Sequence, residues 1–193
     1  MNAFVVADAG LCIGCQACMI ACAKAHSPAG SPESGQTTGA MAAGRVFQSR
    51  ITLVRTAEVT VPVQCRHCEN SPCANVCPVD AIVQKDACID IVEKSCVGCK
   101  SCMLACPYGA IQVVADDTVC GKQAVVEFRE KTGQDTLHVV VKCDLCFDHG
   151  SPACVKICPA GALRLVEGRQ LSESIVSKRR AAAGRMGRIG SQH

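Results

Sequence analysis

The chain has 193 residues, 18 cysteines and a formal net charge of +3, but it has no tryptophan, one tyrosine and only four phenylalanines. A chain so poor in aromatic residues builds a weak hydrophobic core, so disulfides or bound metal must supply stability. We find neither the roughly 18 apolar residues that a membrane-spanning helix needs nor the basic and apolar segments of an export signal. We therefore expect a cytoplasmic protein with no membrane span, whose reduced thiols favour metal over disulfides.

In chain order, short apolar runs of the kind that forms strands alternate with groups of cysteines. The runs before the cysteine groups are 4–6, 59–61, 89–92 and 139–141, and those after them are 79–83, 108–113 and 160–165. We expect a strand, a cysteine loop, a short helix that the last cysteine of the group opens, and a second strand. This order recurs along the chain and indicates repeated units.

Sixteen of the cysteines form four motifs of four. They are Cys12, Cys15, Cys18 and Cys22; Cys65, Cys68, Cys73 and Cys77; Cys96, Cys99, Cys102 and Cys106; and Cys143, Cys146, Cys154 and Cys158. The first and third motifs have the spacing C-x2-C-x2-C-x3-C, whereas the other two have a longer middle gap. Pro78, Pro107 and Pro159 follow three of the motifs, and Ala23 stands at that place in the first.

This spacing is typical of iron–sulfur clusters. Three cysteines in one tight loop reach three irons of a cubane, and in bacterial two-cluster ferredoxins the fourth cysteine ligates the neighbouring cluster. Zinc sites need neither the third nor the fourth cysteine at these distances. We therefore predict four [4Fe–4S] clusters. Their thiolate-ligated cores would add a charge of about −8 to the chain, so its formal +3 does not indicate a nucleic-acid partner.

The distances between motifs predict the domain organisation. Only 18 residues separate the second motif from the third, against 42 and 36 in the other two gaps. We expect an α+β fold of two nested ferredoxin-like units of the bacterial type, with short strands and helices. The outer unit comprises residues 1–55 and 116–168, the inserted unit 56–115, and a basic C-terminal helix or tail 169–193.

Three segments lie outside the repeated frame. Residues 27–44 and 115–137 are long loops, the second also compatible with a hairpin, and each is either a docking surface or a solvated loop. In the C-terminal segment, Ser172 is a candidate helix cap. That helix either lies over the cluster-bearing part of the chain or binds a partner subunit or another copy.

Four such motifs in this order resemble the four-cluster iron–sulfur subunits of molybdenum and tungsten oxidoreductases. These include electron-transfer subunits of formate dehydrogenases, formate hydrogenlyase, hydrogen-dependent carbon dioxide reductase and tungsten aldehyde oxidoreductases. The resemblance covers residues 3–167 and is nearest to the formate hydrogenlyase type at residues 4–8, 12–15 and 142–146.

The resemblance implies which cysteines share a cluster. The four ligand sets are Cys12, Cys15, Cys18 and Cys158 (set A); Cys22, Cys143, Cys146 and Cys154 (set B); Cys65, Cys68, Cys73 and Cys106 (set C); and Cys77, Cys96, Cys99 and Cys102 (set D). Cys88 and Cys120 are left over as non-ligands, and we expect Cys88 to be a buried core thiol.

The resemblance also implies an electron-transfer role without catalysis, and no residue is predicted to be catalytic. The chain would relay electrons between a large molybdenum or tungsten pterin subunit and a second redox partner. That second partner is a hydrogenase, a flavin or NAD subunit, a ferredoxin or another copy of the chain. The substrate of the large subunit stays open among formate, carbon dioxide and aldehydes. A free soluble polyferredoxin with several partners, an independent enzyme and a zinc-stabilised module are the alternatives.

Some residues beside the motifs are expected to adjust the clusters rather than ligate them. Gly14 and Gly98 would let backbone amides approach the sulfurs. Lys100, Lys142 and Lys156 would either stabilise reduced clusters by their charge or be solvated. His67 and His149, which lie within or beside the motifs, would either form a hydrogen bond to sulfur or face solvent.

Overall fold

The structure is a computed structural model and describes residues 1–26, 48–115 and 138–189. The 27–44 loop lies outside these ranges. So does all but the first residue of the 115–137 segment, together with Cys120.

Within the described ranges, eight short strands form four two-stranded antiparallel sheets. The strands are β1 (Phe4–Ala7), β2 (Ile51–Arg55), β3 (Thr60–Gln64), β4 (Ile82–Lys85), β5 (Cys88–Ile91), β6 (Gln112–Ala115), β7 (His138–Val141) and β8 (Leu163–Val166). β1 pairs with β8, β2 with β3, β4 with β5 and β6 with β7. Each of the seven apolar runs predicted as strands overlaps an observed strand, but the runs 79–83, 108–113 and 160–165 begin three or four residues before their strands. The prediction missed β2.

The first and last strands pair with each other and close the cysteine-bearing part of the chain. Phe4 lies opposite Val166 and Ala7 opposite Leu163. The Val5 side chain on β1 is fully buried, at 0 % exposure, because alternate residues of a strand point to the same face. This pairing holds the first cysteine motif beside the fourth.

Each cysteine motif contains one short helix. These helices are α1 (Ala17–Ala25), α2 (Pro72–Asn75), α3 (Ser101–Ala105) and α4 (Ala153–Ile157), and a longer helix, α5 (Gly168–Ile189), follows β8. α1 packs against α4, and α2 packs against α3. The helix of the first motif therefore contacts that of the fourth, and the two middle motifs contact each other.

The helix positions correct the expectation that the fourth cysteine of each motif opens a helix. In the last three motifs the helix contains the third cysteine and ends before the fourth, so Cys106 and Cys158 lie just beyond α3 and α4. The proline that follows explains this, because it lacks an N–H and disfavours helical backbone in the residue before it. With Ala23 in place of that proline, α1 continues through Cys22 to Ala25.

Thiols make up much of the hydrophobic core. The buried members of the larger core are Val5, Ile51, Leu145, Leu163, Cys18, Cys22, Cys65, Cys88, Cys143 and Cys154. A second core contains Ile82, Ile89, Ile111, Val140, Cys73 and Cys102. None of these buried residues is aromatic, so the packing depends on aliphatic side chains and sulfur.

The C-terminal helix differs from its prediction in length and position. α5 begins at Gly168, and Ser172 lies inside it, where its hydroxyl donates to the Gly168 carbonyl at 3.0 Å instead of capping the helix. Beyond Leu171 every described side chain of α5 is exposed, so the helix does not lie over the rest of the chain. No helix among the described residues is both long and apolar enough to cross a bilayer.

Candidate metal centres

The cysteines of set A line one cavity, although they come from two motifs. Cys12, Cys15 and Cys18 belong to the first motif and Cys158 to the fourth. Together they border a cavity of about 340 Å³, including space open to solvent. Leu53 is among the apolar side chains that complete its wall. Four thiols from opposite ends of the chain are therefore positioned around one space.

A second cavity brings together the cysteines of set D. Cys96, Cys99 and Cys102 of the third motif and Cys77 of the second line a space of about 370 Å³, again including solvent-open space. The remaining wall is mostly apolar and includes Ile82. Here too, three cysteines of one motif meet the fourth cysteine of another.

The cysteines of set B are all buried and interact electrostatically. Burial, followed by the negative charges of Cys22 and Cys146, raises the pKa of the Cys154 thiol to about 12, because neighbouring thiolates repel. Burial also raises the pKa of Cys143, with a further contribution from Cys154. Cys154 of the fourth motif is therefore close to Cys22, and also to Cys18, of the first motif.

Set C shows the same coupling between the two middle motifs. Burial, followed by the negative charges of Cys65 and Cys106, raises the pKa of Cys73 to about 11. Burial raises the pKa of Cys65 as well, and the Lys142 ammonium opposes that rise. The negative charges of Cys106 and Cys68 also raise the pKa of Cys65.

The four sets fit the chemistry of iron–sulfur ligation. Cysteine thiolates are the ligands of [4Fe–4S] clusters, four to each cluster. In sets A and D, three cysteines of one motif and one of another line a single cavity, and the family resemblance implies this kind of arrangement. The ligand role of each cysteine is still a prediction. Cys88 is 4 % exposed and lies in the larger core.

The turn that follows the cysteine–proline pair directs a backbone N–H at sulfur. The third residue after the fourth cysteine is left-handed, as Asp80 (φ 48°) and Gly109 (φ 57°) illustrate. The next residues, Ala81 and Ala110, donate to the Sγ of the fourth cysteine of their motifs at 3.3 and 3.4 Å. Such hydrogen bonds stabilise a thiolate and influence the potential of a bound cluster.

The cysteine loops of the first and third motifs share one backbone conformation. Gly14 and Gly98 both have φ of 70°, and Gln16 and Lys100 have φ of 64° and 65°. A left-handed backbone is tolerated by glycine but strained in most other residues. At Gly14 a Cβ atom would also lie only 3.1 Å from Cγ2 of Thr60. From the sequence, we expected glycine at these positions because a small residue lets backbone amides approach the sulfurs. The positive φ is a second reason for glycine.

The three lysines named as candidate charges differ sharply in burial. Lys100 and Lys156 are exposed, but Lys142 is only 3 % exposed. Its Nζ donates to the carbonyl oxygen of Ile89 and, at 2.8 Å, to that of Cys143. Of the two interpretations, solvation therefore applies to Lys100 and Lys156 and is wrong for Lys142.

A polar network that the cysteine motifs did not predict lies beside set B. His26 follows Cys22 by one helical turn, with Nδ1 2.7 Å from the Cys22 carbonyl oxygen and Nε2 3.0 Å from Oδ1 of Asp144. Arg50 also bonds to Asp144, and its backbone N–H donates to the Cys22 Sγ at 3.3 Å. Burial disfavours the charged imidazole, but hydrogen bonds to Asp144, Cys146 and Cys22 raise the pKa of His26 to about 12.

This network is part of set B rather than a separate metal site. His26, Asp144 and Cys146 offer ligand-type atoms within 4.8 Å of one another. However, Cys146 is a member of set B, and the Asp144 carboxylate already accepts hydrogen bonds from Arg50 and from the Cys146 N–H. One feature of the sequence could have predicted that His26 belongs to this network. His26 lies four residues after Cys22, and no proline ends the helix between them.

His67 lies in the interior between two cysteines of set C. It is 1 % exposed, so the expectation of a solvent-facing ring is wrong here. Its Nδ1 accepts the Ile89 N–H at 3.0 Å, and the backbone N–H of His67, not the ring, donates to the Cys65 Sγ at 3.4 Å. Burial, followed by the Lys142 charge, lowers the pKa of His67 to about 4.

Comparison with known proteins supports iron–sulfur ligation. Two family models, both described as 4Fe-4S dicluster domain, match residues 56–168 and 11–81. The two ranges overlap, so they do not delimit the outer and inserted units. Hydrogenase-4 component A of Escherichia coli strain K12 is 38 % identical over 95 % of this chain and 91 % of its own length.

Two further relatives from the same strain cover nearly the whole chain. The electron transport protein HydN is 35 % identical over 95 % of this chain and 98 % of its own length. Formate hydrogenlyase subunit 2 is 36 % identical over 93 % of this chain and 88 % of its own length.

Short two-stranded sheets, single-turn helices and cores rich in thiols define a ferredoxin-type iron–sulfur protein that transfers electrons. The chain belongs to the family of 4Fe-4S dicluster domain proteins, whose model matches more than half of its length.

Proposed function

We propose that the chain holds four [4Fe–4S] clusters in sets A, B, C and D and is the electron-transfer subunit of an oxidoreductase complex. The observation that carries this proposal is that, in sets A and D, three cysteines of one motif and one of another line a single cavity. Each bound cluster would accept and release one electron. The chain itself would position the clusters, exclude water from them and catalyse no reaction.

The contacts between motifs support two nested ferredoxin-like units. The pairing of β1 with β8 and the packing of α1 on α4 favour an outer unit of residues 1–55 and 116–168. The packing of α2 on α3 and the pairing of β4 with β5 favour an inserted unit of residues 56–115. Two sheets, β2–β3 and β6–β7, join strands across the proposed boundaries, so the units would share a continuous framework.

Differences in burial support electron exchange at sets A and D. Among the described cysteines, Cys15 of set A and Cys99 of set D are the exposed ones. Apolar side chains near them are also exposed, including Ile13 at 69 % and Leu104 at 92 %. Partners would approach these two surfaces, while sets B and C would carry electrons between them.

The relatives support membership of a larger complex. Two of them are named as a component of hydrogenase-4 and a subunit of formate hydrogenlyase. We propose a large molybdenum or tungsten pterin subunit as one partner in the cytoplasm, with a second redox partner at the other end. A free polyferredoxin is the second candidate, because HydN and YsaA are named as electron transport proteins without a complex.

Two measurements test the proposal. The chain purified without oxygen should contain about 16 iron and 16 sulfide atoms, four of each for every cluster. Stoichiometric zinc without sulfide would contradict the cluster assignment. Isolation of the native complex and identification of its largest subunit then separates the dedicated subunit from the free polyferredoxin. Recovery of the chain alone, able to reduce many acceptors, would favour the latter.

A further inference from the structure

Lys142 occupies the boundary between sets B and C. It follows β7 directly and precedes Cys143 of set B, to whose carbonyl oxygen its Nζ donates at 2.8 Å. Its second hydrogen bond goes to the Ile89 carbonyl on β5, which belongs to the proposed inserted unit. The lysine side chain therefore connects the two proposed units at 3 % exposure.

The Lys142 ammonium contacts the backbone of set B, through the Cys143 carbonyl oxygen, and acts electrostatically on set C. Within set C it interacts electrostatically with Cys65 and Cys73. Cys65 in turn interacts with Cys143, so the two sets are adjacent at this point. Cys65 and Cys143 are both buried, as Lys142 is.

The buried Lys142 ammonium has no ion-pair partner among the residues that the structure describes. Lys142 forms no ion pair with a carboxylate in residues 1–26, 48–115 or 138–189. The nearest acidic neighbour in sequence, Asp144, is bound to Arg50 and His26. Two carbonyl oxygens satisfy hydrogen bonds but leave a full charge in the interior, which is costly unless an anion compensates it.

We propose that Lys142 is the shared counter-charge of the clusters in sets B and C and raises the reduction potential of both. The inference rests on the proposed function. Reduction makes each cluster more negative, and a buried cation between the two stabilises the reduced form of each. In this role Lys142 ligates no metal. It acts on the two clusters only through the electric field of its ammonium charge.

Lys156 provides a matched control. It lies in the fourth motif between the ligands Cys154 and Cys158, but it is exposed, so water and salt screen its charge. Lys142→Met and Lys156→Met remove the same charge from buried and exposed places. Lys142→Gln keeps hydrogen-bond donors without the charge, and Lys142→Arg keeps the charge.

The experiment is a redox titration of each purified, cluster-loaded variant, followed by electron paramagnetic resonance. In Lys142→Met and Lys142→Gln, two of the four clusters should become at least tenfold less reduced at a fixed potential. This corresponds to a shift of about 59 mV for a one-electron couple. Lys142→Arg and Lys156→Met should titrate like the unaltered chain. Unchanged potentials in Lys142→Met, a shift in one cluster only, or an equal shift in Lys156→Met would overturn the proposal.

Iron and sulfide analysis covers the case in which a variant fails to load. If only Lys142→Arg loads fully, the buried charge itself is required to hold the clusters, which supports the proposal. If all three Lys142 variants fail alike, the shape of the side chain matters instead of its charge, and the proposal is wrong. If the unaltered chain binds no iron, the proposed function fails. Full loading with unshifted potentials refutes only the role of Lys142.

Discussion

The imidazole of His26 is hydrogen-bonded to the carboxylate of Asp144, with 3.0 Å between Nε2 and Oδ1 and 118 positions between the two residues in sequence. His26 ends the helix of the first motif, and Asp144 lies in the loop of the fourth. The bond joins the two motifs beside Cys22 of the first and Cys146 of the fourth, both of which interact with His26. The motif exchange proposed for set B therefore has a support that does not involve sulfur.

Loss of the Asp144 carboxylate should destabilise this junction. Asp144→Asn removes the charge that binds His26 and Arg50, and we expect the free energy of unfolding to fall by about 2 kcal/mol. The control is Asp90→Asn, which removes an exposed pair with Lys85 and should cost about 0.5 kcal/mol or less. Thermal melting of the two oxidised, cluster-loaded variants measures the difference. Equal melting temperatures would show that the junction contributes no stability.

A proline at position 23 should break the same junction from the backbone side. Ala23→Pro would end α1 near Cys22, as the prolines do in the other motifs, and would move His26 away from Asp144. The cluster content should stay at about 16 irons. Combined with Asp144→Asn, the loss of stability should be smaller than the sum of the two single losses, because both remove one interaction. If the two losses of stability are additive, Ala23→Pro does not act by breaking the bond between His26 and Asp144.

The exchange of the fourth cysteines is open to a direct test by iron counting. Cys12→Ser and Cys158→Ser should perturb the same cluster, because both residues belong to set A. The double variant should then lose no more than about four irons. Loss of about eight irons would mean that the two residues serve different clusters. Cys88→Ala is the control and should retain about 16 irons.

Gly14 should tolerate substitution less well than Gly109. Both have positive φ, so alanine is strained by about 1–2 kcal/mol at either position. At Gly14 the new Cβ would also contact Thr60 and Arg55, whereas nothing lies within 4 Å at Gly109. Gly14→Ala should therefore lower the melting temperature further and release iron from set A sooner. A larger effect of Gly109→Ala would contradict this account of the loop.

Removal of residues 169–193 should leave the clusters intact. The truncated chain keeps Gly168, which lies against Met1, and loses a helix whose described side chains are almost all exposed. Iron content and melting temperature should be unchanged. The size of the native assembly should be compared between the full-length and the truncated chain. An unchanged size would exclude a role for the basic helix in binding a partner or another copy. A loss of iron on truncation would show that α5 supports the clusters after all.

The sequence by itself determined the chemistry. The spacing of sixteen cysteines predicts four iron–sulfur sites, because short loops can direct thiols to one cubane in only a few ways. The apolar runs predicted seven strands, since the period-2 pattern and β-branched residues are local properties. Even the departure at Ala23 was visible, but its consequence for the length of α1 was not.

Only the tertiary structure decided which distant groups meet. Nothing in the neighbourhood of His26 or Asp144 predicts their bond, and nothing local distinguishes the buried Lys142 from the exposed Lys156. Burial and pairing depend on how β1 closes on β8 and how α1 packs on α4, which are contacts between the two ends of the chain. Such contacts carry no local pattern, so a spacing rule finds the ligands but not the charges and hydrogen bonds around them.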